Sequence, residues 1–233
     1  MKTTQISPNI WQLTRLRAFN CFLVREGDGL TLVDASLNGS GAAILKAADQ
    51  IGQPIKRITL THAHGDHVGS LDDLAVQLPD VAIMLTQRTA DFLNGDIILL
   101  PDEPQTPIKG GFVRRITRPT DLLQPDDKVG SLRVVAAPGH SPDHIAFFDE
   151  RDGTLLGGDA FQTQGGIAVA GMLRWLFPFP AMASWHLPTA LASARALLAL
   201  QPGRLAVGHG KALENPVPLM KQAIQRAETA VNG

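Results

Sequence analysis

Thr61-His62-Ala63-His64-Gly65-Asp66-His67 is the stretch on which the reading of this chain turns. It follows directly on an apolar run, 55–60, that reads as a buried strand. In extended backbone, side chains alternate between faces, so His62 and His64 project to the same side and can grip one ion together. Gly65 is expected to take a conformation closed to other residues, turning the chain so that Asp66 and His67 come back towards the same spot. Imidazole and carboxylate donors suit zinc, iron or manganese. A lone histidine is more often a core or surface residue with a local hydrogen bond. Three of the seven histidines within six residues make coincidence a poor account.

Three later positions share one context, a ligand-type residue at the end of a strand and beside glycine: Pro138-Gly139-His140, Gly157-Gly158-Asp159 and Gly208-His209-Gly210. Strand ends and the loops after them are where sites are built in α/β proteins. Each alone is weak, because a strand-end Asp is usually a turn or cap residue. Together they bring the candidate ligands to seven: His62, His64, Asp66, His67, His140, Asp159 and His209. Four ligands close a structural zinc site, so seven favour two ions with positions left for water and substrate. Asp159 is the candidate carboxylate bridge between them.

Around these motifs, short strands are expected at 10–13, 21–26 and 30–35, the last two joined at Gly27-Asp28-Gly29. Ile44, Leu45, Ala48 and Ile51 share a helical face, as do Leu71, Leu74, Ala75 and Leu78, with a strand at 81–85 beyond. Strands return at 132–137, 145–149 and 154–156. Leu187, Leu191, Ala194 and Leu198 mark a helix, 205–207 a buried strand, and a last amphipathic helix starts near Pro216. This order predicts two sheets with helices on their outer faces, within one domain spanning 1–233.

The chain resembles the metallo-β-lactamase superfamily, whose HxHxDH signature stands here at 62–67. The likeness runs from Val33-Asp34 to His209 in the expected order. It implies an αββα sandwich in which His62, His64 and His140 hold one ion, Asp66, His67 and His209 the other, and Asp159 lies between. It also places Asp34 behind the ligands as a support, although a strand-terminating turn residue explains it equally well. A water bridging the two ions would act as hydroxide near neutral pH, and Asp66 would relay its proton to the leaving group.

Departures from particular branches narrow the activity. No signal peptide is visible, which disfavours a periplasmic β-lactamase. Only 24 residues follow His209, too few for the helical region of a glyoxalase II type thioesterase. Flavodiiron proteins carry Glu where His64 stands, and nucleases of the fold append a nucleic-acid domain. The remaining resemblance is to lactonases and small-ester hydrolases, including those that open N-acyl homoserine lactones. Those enzymes use a Tyr near the bridging Asp, and this chain has none. Gln162 is the candidate replacement donor. A glyoxalase II-like thioesterase and a mononuclear iron persulfide dioxygenase of the same fold are the alternatives.

Net charge is -1 with no long basic run, which disfavours nucleic acid, anionic membrane and polyanionic substrates. No apolar stretch reaches membrane-spanning length. The expectation is a cytoplasmic enzyme acting on a small molecule. Cys21, in an apolar run, reads as a structural thiol and not a nucleophile. Two apolar segments, 92–100 and 161–180, are expected to wall a substrate pocket or form a homodimer contact, with ordinary core packing as the third reading. Phe161, Gln162, Trp175 and His186 are the candidate substrate contacts, with a helix-start His making a local bond as the competing reading for His186. His144 reads as a supporting residue.

Overall fold

The structure, a computed structural model, describes residues 1–232. Seven strands form the first sheet in sequence order: β1 (Lys2–Ser7), β2 (Ile10–Arg15), β3 (Phe19–Arg25), β4 (Leu30–Val33), β5 (Ile55–Thr59), β6 (Ala82–Thr86) and β7 (Asp121–Leu123). The first four pair antiparallel and the rest parallel. Helices α1 (Gly41–Ile51), α2 (Gly65–Val68), α3 (Leu71–Gln77) and α4 (Gln87–Asn94) lie in the crossovers.

The second half supplies β8 (Lys128–Val129), β9 (Leu132–Ala136), β10 (Ile145–Asp149) and β11 (Thr154–Leu156), then a two-stranded ribbon of β12 (Phe161–Gln162) and β13 (Ala168–Val169). Helices α5 (Phe179–Ala183) and α6 (Leu187–Ala199) follow, then β14 (Arg204–Ala206), β15 (Leu213–Glu214) and α7 (Val217–Asn232). The second sheet runs β15-β14-β11-β10-β9-β8.

Strand alternation sorts the apolar residues into three layers. Phe22, Val24 and Val33 meet Val134, Phe147, Leu156 and Ala206 between the sheets. Their neighbours Leu23 and Leu32 point the other way, onto Ile44 of α1, Leu71 and Leu74 of α3 and Phe92 of α4. Ala146, Leu155 and Leu205 face Leu191, Ala194, Met220 and Ile224 of α6 and α7. The result is helix, sheet, sheet, helix, as the sequence predicts.

The edge strands β1 and β7 were not expected. β1 is largely exposed and polar, so it has no apolar period to read; its pairing with β2, Lys2 opposite Thr14, makes it a strand. The segment 92–100 is also corrected in part. Phe92 and Leu93 are buried in the core against α1 and α3, because they fall on the inner face of α4. Cys21 is fully buried, and burial together with Asp34 pushes its thiol well above the usual range, which leaves it unreactive. No described helix is long and apolar enough to cross a membrane.

Candidate metal centre

Topology brings the seven candidate ligands together. β11 and β14 are parallel neighbours with Leu156 opposite Ala206, so Asp159 and His209, each three residues further on, arrive at the same level. The end of β9 delivers His140, and the end of β5 delivers His62 and His64. Asp66 and His67 stand in the first turn of α2. Gly65 does not adopt the special backbone expected of it, since it is simply the first helical residue. Its need is for space: a Cβ there would lie 3.2 Å from Val113 and 3.3 Å from the Gly111 carbonyl.

Three groups of donor atoms converge within 4.8 Å: His62, His64 and His140; His62, His67 and Asp159; and Asp66, His67 and His209. Five of the residues are histidines, and each has its outward nitrogen engaged. His62 Nδ1 lies 3.0 Å from Thr61 Oγ1, a hydroxyl whose own hydrogen goes to Asp34. His64 Nε2 donates to the Lys109 carbonyl at 3.1 Å. His140 Nδ1 donates to Ser184 Oγ at 3.0 Å, and that hydroxyl donates to the Pro180 carbonyl at 2.7 Å. His67 Nδ1 meets Asp34 Oδ2 at 2.8 Å, and His209 Nδ1 meets the Ala18 carbonyl at 3.3 Å.

With those nitrogens donating, the inward nitrogens of the first group carry lone pairs. His62 Nε2 and His140 Nε2 each lie 3.0 Å from His64 Nδ1. Burial first, then the neighbouring imidazoles, holds His62 below its ordinary range; burial also lowers His64 and His140. All three are therefore neutral near pH 7. Three acceptors facing one another in a buried space need a cation, and imidazole is a strong donor for zinc or iron.

The second group sets two carboxylates beside two imidazoles. His209 Nε2 lies 3.0 Å from Asp159 Oδ2 and 3.3 Å from Asp66 Oδ2. Asp159 Oδ2 is also 3.4 Å from His140 Nε2, so this carboxylate reaches both groups. His67 Nε2 and Asp159 Oδ1 are buried without a hydrogen-bond partner, the pattern of donors prepared for an ion. Burial opposes the charged form of His209, but Asp159 and Asp66 override it and push the group up to about 9. His67 is raised in the same way, burial again being overcome by Asp34, Asp159 and Asp66. The residues fit divalent metal, with one set offering neutral imidazoles and the other imidazoles and carboxylates.

A family model described as the metallo-beta-lactamase superfamily matches residues 15–209. The chain belongs to this superfamily. YobT of Bacillus subtilis (strain 168) is 50% identical over 98% of this chain and 99% of its own length. The "Probable metallo-hydrolase YflN" of the same organism is 29% identical, over 81% of this chain and 78% of that one. Among solved structures, TTHA1623 in a di-iron-bound form matches with a TM-score of 0.61 and 27% identity, covering 88% of this chain and 94% of that one. The metallo-beta-lactamase likeness covers the sandwich as a whole.

The expected substrate contacts fare differently. A cavity of about 110 Å³ opens at the cluster, lined by His64, Asp66, His140, Asp159, His209, Phe19, Phe179, Pro180 and Ala183. Phe161, Gln162, Trp175 and His186 are not among its walls. Phe161 is fully buried in the core under α6 and α7. Gln162 is buried beside it in the ribbon, away from the cavity walls. Trp175 is 88% exposed. His186 caps α6, its Nδ1 accepting from Thr189 N–H, which is the local bond weighed against a substrate role. His144 is supporting: its Nε2 accepts from Asp159 N–H at 2.9 Å.

Phe19 was missed, whereas Phe179 and Pro180 belong to the segment 161–180 expected to wall the pocket and do line this cavity. Phe19 and Phe177 both pack on the His209 ring, at 5.3 and 5.2 Å, and Phe177 packs edge-on to Phe179. An aromatic run thus leads from the ligands outward. A larger open groove of about 310 Å³ lies between α3 and the 116–120 loop. It holds none of the seven ligands, and Asp72 within it is occupied by Ile116 N–H, Thr117 N–H and the Thr117 hydroxyl.

Proposed function

We propose that this chain is a hydrolase that holds two divalent ions, zinc by preference, and cleaves the ester or lactone bond of a small cytoplasmic molecule with an apolar portion. The observation that carries it is the set of three mutually facing acceptor nitrogens on His62, His64 and His140, beside the orphaned Asp159 carboxylate oxygen. Divalent ions bound there would acidify a water and polarise a scissile carbonyl.

The chain's own groups do the rest. Asp66 lines the cavity; His67 and His209 hold its carboxyl well below the usual range against the effect of burial, so it is an anion able to take a proton. From there the proton passes to the departing alkoxide. The volume near 110 Å³ admits a lactone ring or ester group but not a whole drug-sized ligand. Phe19, Phe179, Pro180 and Ala183 present apolar surface to what lies next to the bond.

The test is hydrolysis of a panel of esters, lactones and thioesters by protein loaded with zinc, manganese or iron, with metal content measured on the same samples. Cleavage of an ester or lactone that is abolished by a chelator and restored by the ion is the expected result. One iron per chain with oxygen uptake on a persulfide would overturn it, as would a clear preference for thioesters. The apolar wall is tested by an acyl-chain series. Each methylene that becomes buried should improve kcat/KM by about 0.8 kcal/mol. Phe179→Ala should flatten that trend, and Trp175→Ala should leave it unchanged.

A further inference from the structure

One loop touches the cluster without contributing a side-chain ligand. The segment 104–120 crosses beside His64 and is pinned at several points. Trp185 Nε1 donates to the Thr106 carbonyl at 3.0 Å, and Gly65 N–H donates to the Gly111 carbonyl at 2.8 Å. Arg115 N–H donates to the Leu93 carbonyl at 2.8 Å, and Asp72 accepts Ile116 N–H and Thr117 N–H at 3.1 and 2.9 Å. Phe112 packs against the His64 ring with centroids 4.6 Å apart, and against Phe92 of the core at 5.1 Å.

His64 differs from its two partners. His62 and His140 turn Nε2 inward, whereas His64 turns Nδ1 inward. Its Nε2 therefore points away from the other imidazoles and must find an acceptor outside the cluster. The Lys109 carbonyl, which can only accept, sits 3.1 Å from it. That contact obliges the proton to stay on Nε2 and the lone pair on Nδ1.

The contact exists only because residue 110 is glycine. Its φ of +100 is one that side-chain-bearing residues rarely adopt, and a Cβ there would stand 2.1 Å from His64 Nε2. Gly111, next in the chain, has nothing within 4 Å of an added Cβ and no positive φ.

We propose that segment 104–120 is a positioning strap for the first metal site: the Lys109 carbonyl fixes which nitrogen of His64 faces the ion, and the ion in turn latches the strap. The proposal rests on the metal-bound reading above. Coupling runs to a second ligand as well. Trp185, whose indole holds Thr106, donates its backbone N–H to the His140 carbonyl at 2.8 Å, and its neighbour Ser184 holds His140 Nδ1. An ion held by both His64 and His140 therefore engages both ends of one connection.

The strap carries its own reporters. Lys109 and Arg114 are exposed trypsin sites within it. Zinc chloride added to metal-free full-length protein should slow cutting after Lys109 and Arg114 several-fold, while cutting elsewhere changes little. Gly110→Ala should weaken the tighter zinc site by roughly 10- to 100-fold in a competition with a chromophoric chelator, and should lose the protection. Gly111→Ala is the steric control and should behave as wild type in both measurements. If Gly110→Ala proves misfolded by circular dichroism, Phe112→Ala, which removes the ring that leans on His64, takes its place and should weaken zinc in the same direction. Wild-type zinc affinity and wild-type protection in the Gly110 variant, or in the Phe112 variant where that replaces it, would overturn the strap. So would zinc binding by the wild type with no change in trypsin cutting. A wild type that takes up no divalent ion brings down the hydrolase reading itself, and the strap with it.

Discussion

Asp34 Oδ2 and His67 Nδ1 lie 2.8 Å apart, both fully buried, and the same carboxylate accepts Thr61 N–H at 2.7 Å and the Thr61 hydroxyl at 2.9 Å. One side chain at the end of β4 thus sets the ring of one ligand and the backbone just ahead of another. It does so from a left-handed backbone, φ +64. Asp34→Ala leaves His67 Nδ1 and Thr61 N–H buried without an acceptor. Breaking a buried pair in this way should cost about 3–5 kcal/mol in thermal or denaturant unfolding of the metal-free protein. Affinity for the ion at His67 should also fall roughly 10- to 100-fold.

Among the described residues, Asp159 is the only carboxylate that approaches both His140 and His209, at 3.4 and 3.0 Å. Asp159→Ala should reduce metal content from two ions per chain to at most one and remove most activity. Full metal content and full rate in this variant would show that the two groups do not share a bridge.

Asp66 should matter for rate beyond its part in binding. Asp66→Asn keeps the shape and an acceptor oxygen but removes the basicity. Its kcat should therefore drop by a larger factor than its metal affinity. Equal losses in the two quantities would reduce Asp66 to a ligand alone.

Proton competition should separate the two sites. His209 is pushed up to about 9 and His67 is also raised, so in the metal-free protein at pH 7 each holds a proton that an ion must displace. Affinity at that site should rise with pH as these protons are lost. His62, His64 and His140 are already neutral, so affinity at their site should change little between pH 6 and 8. Zinc titrations across that range should show the weaker constant moving and the tighter one nearly fixed.

Asp143 offers a stability test free of metal. Burial pushes its carboxyl up to about 6 despite hydrogen bonds from Ser141, Thr89 and backbone, and Oδ2 has no partner. Between the ordinary carboxylate range and about pH 6 the folded chain binds a proton that the unfolded chain has released, so this group stabilises on acidification and destabilises as pH rises. Asp143→Asn should raise unfolding free energy at pH 7.5 by about 1–3 kcal/mol relative to wild type, with the difference shrinking towards pH 4.5.

Much of the site was legible in sequence because its signals are local. His62 and His64 share a face through the two-residue strand period, and His140, Asp159 and His209 follow apolar runs that end at glycine. The core strands β3, β4 and β10 were legible for the same reason, since apolar side chains repeat along them. Only the tertiary structure could show that Lys109 turns a carbonyl to His64, that Ser184 holds His140, and that Ala18 holds His209. A backbone carbonyl has no residue-type signature, and a serine hydroxyl is too common to carry one. The apolar segment 161–180 was misjudged as a unit because an apolar side chain has no direction until its neighbours are placed. Phe161 went into the core, Phe179 to the cavity and Trp175 to the surface, decided by the turn of β12 and the start of α5. Residue type and spacing determined which groups could bind an ion; long-range packing decided which nitrogen each one presents and what stands beside it.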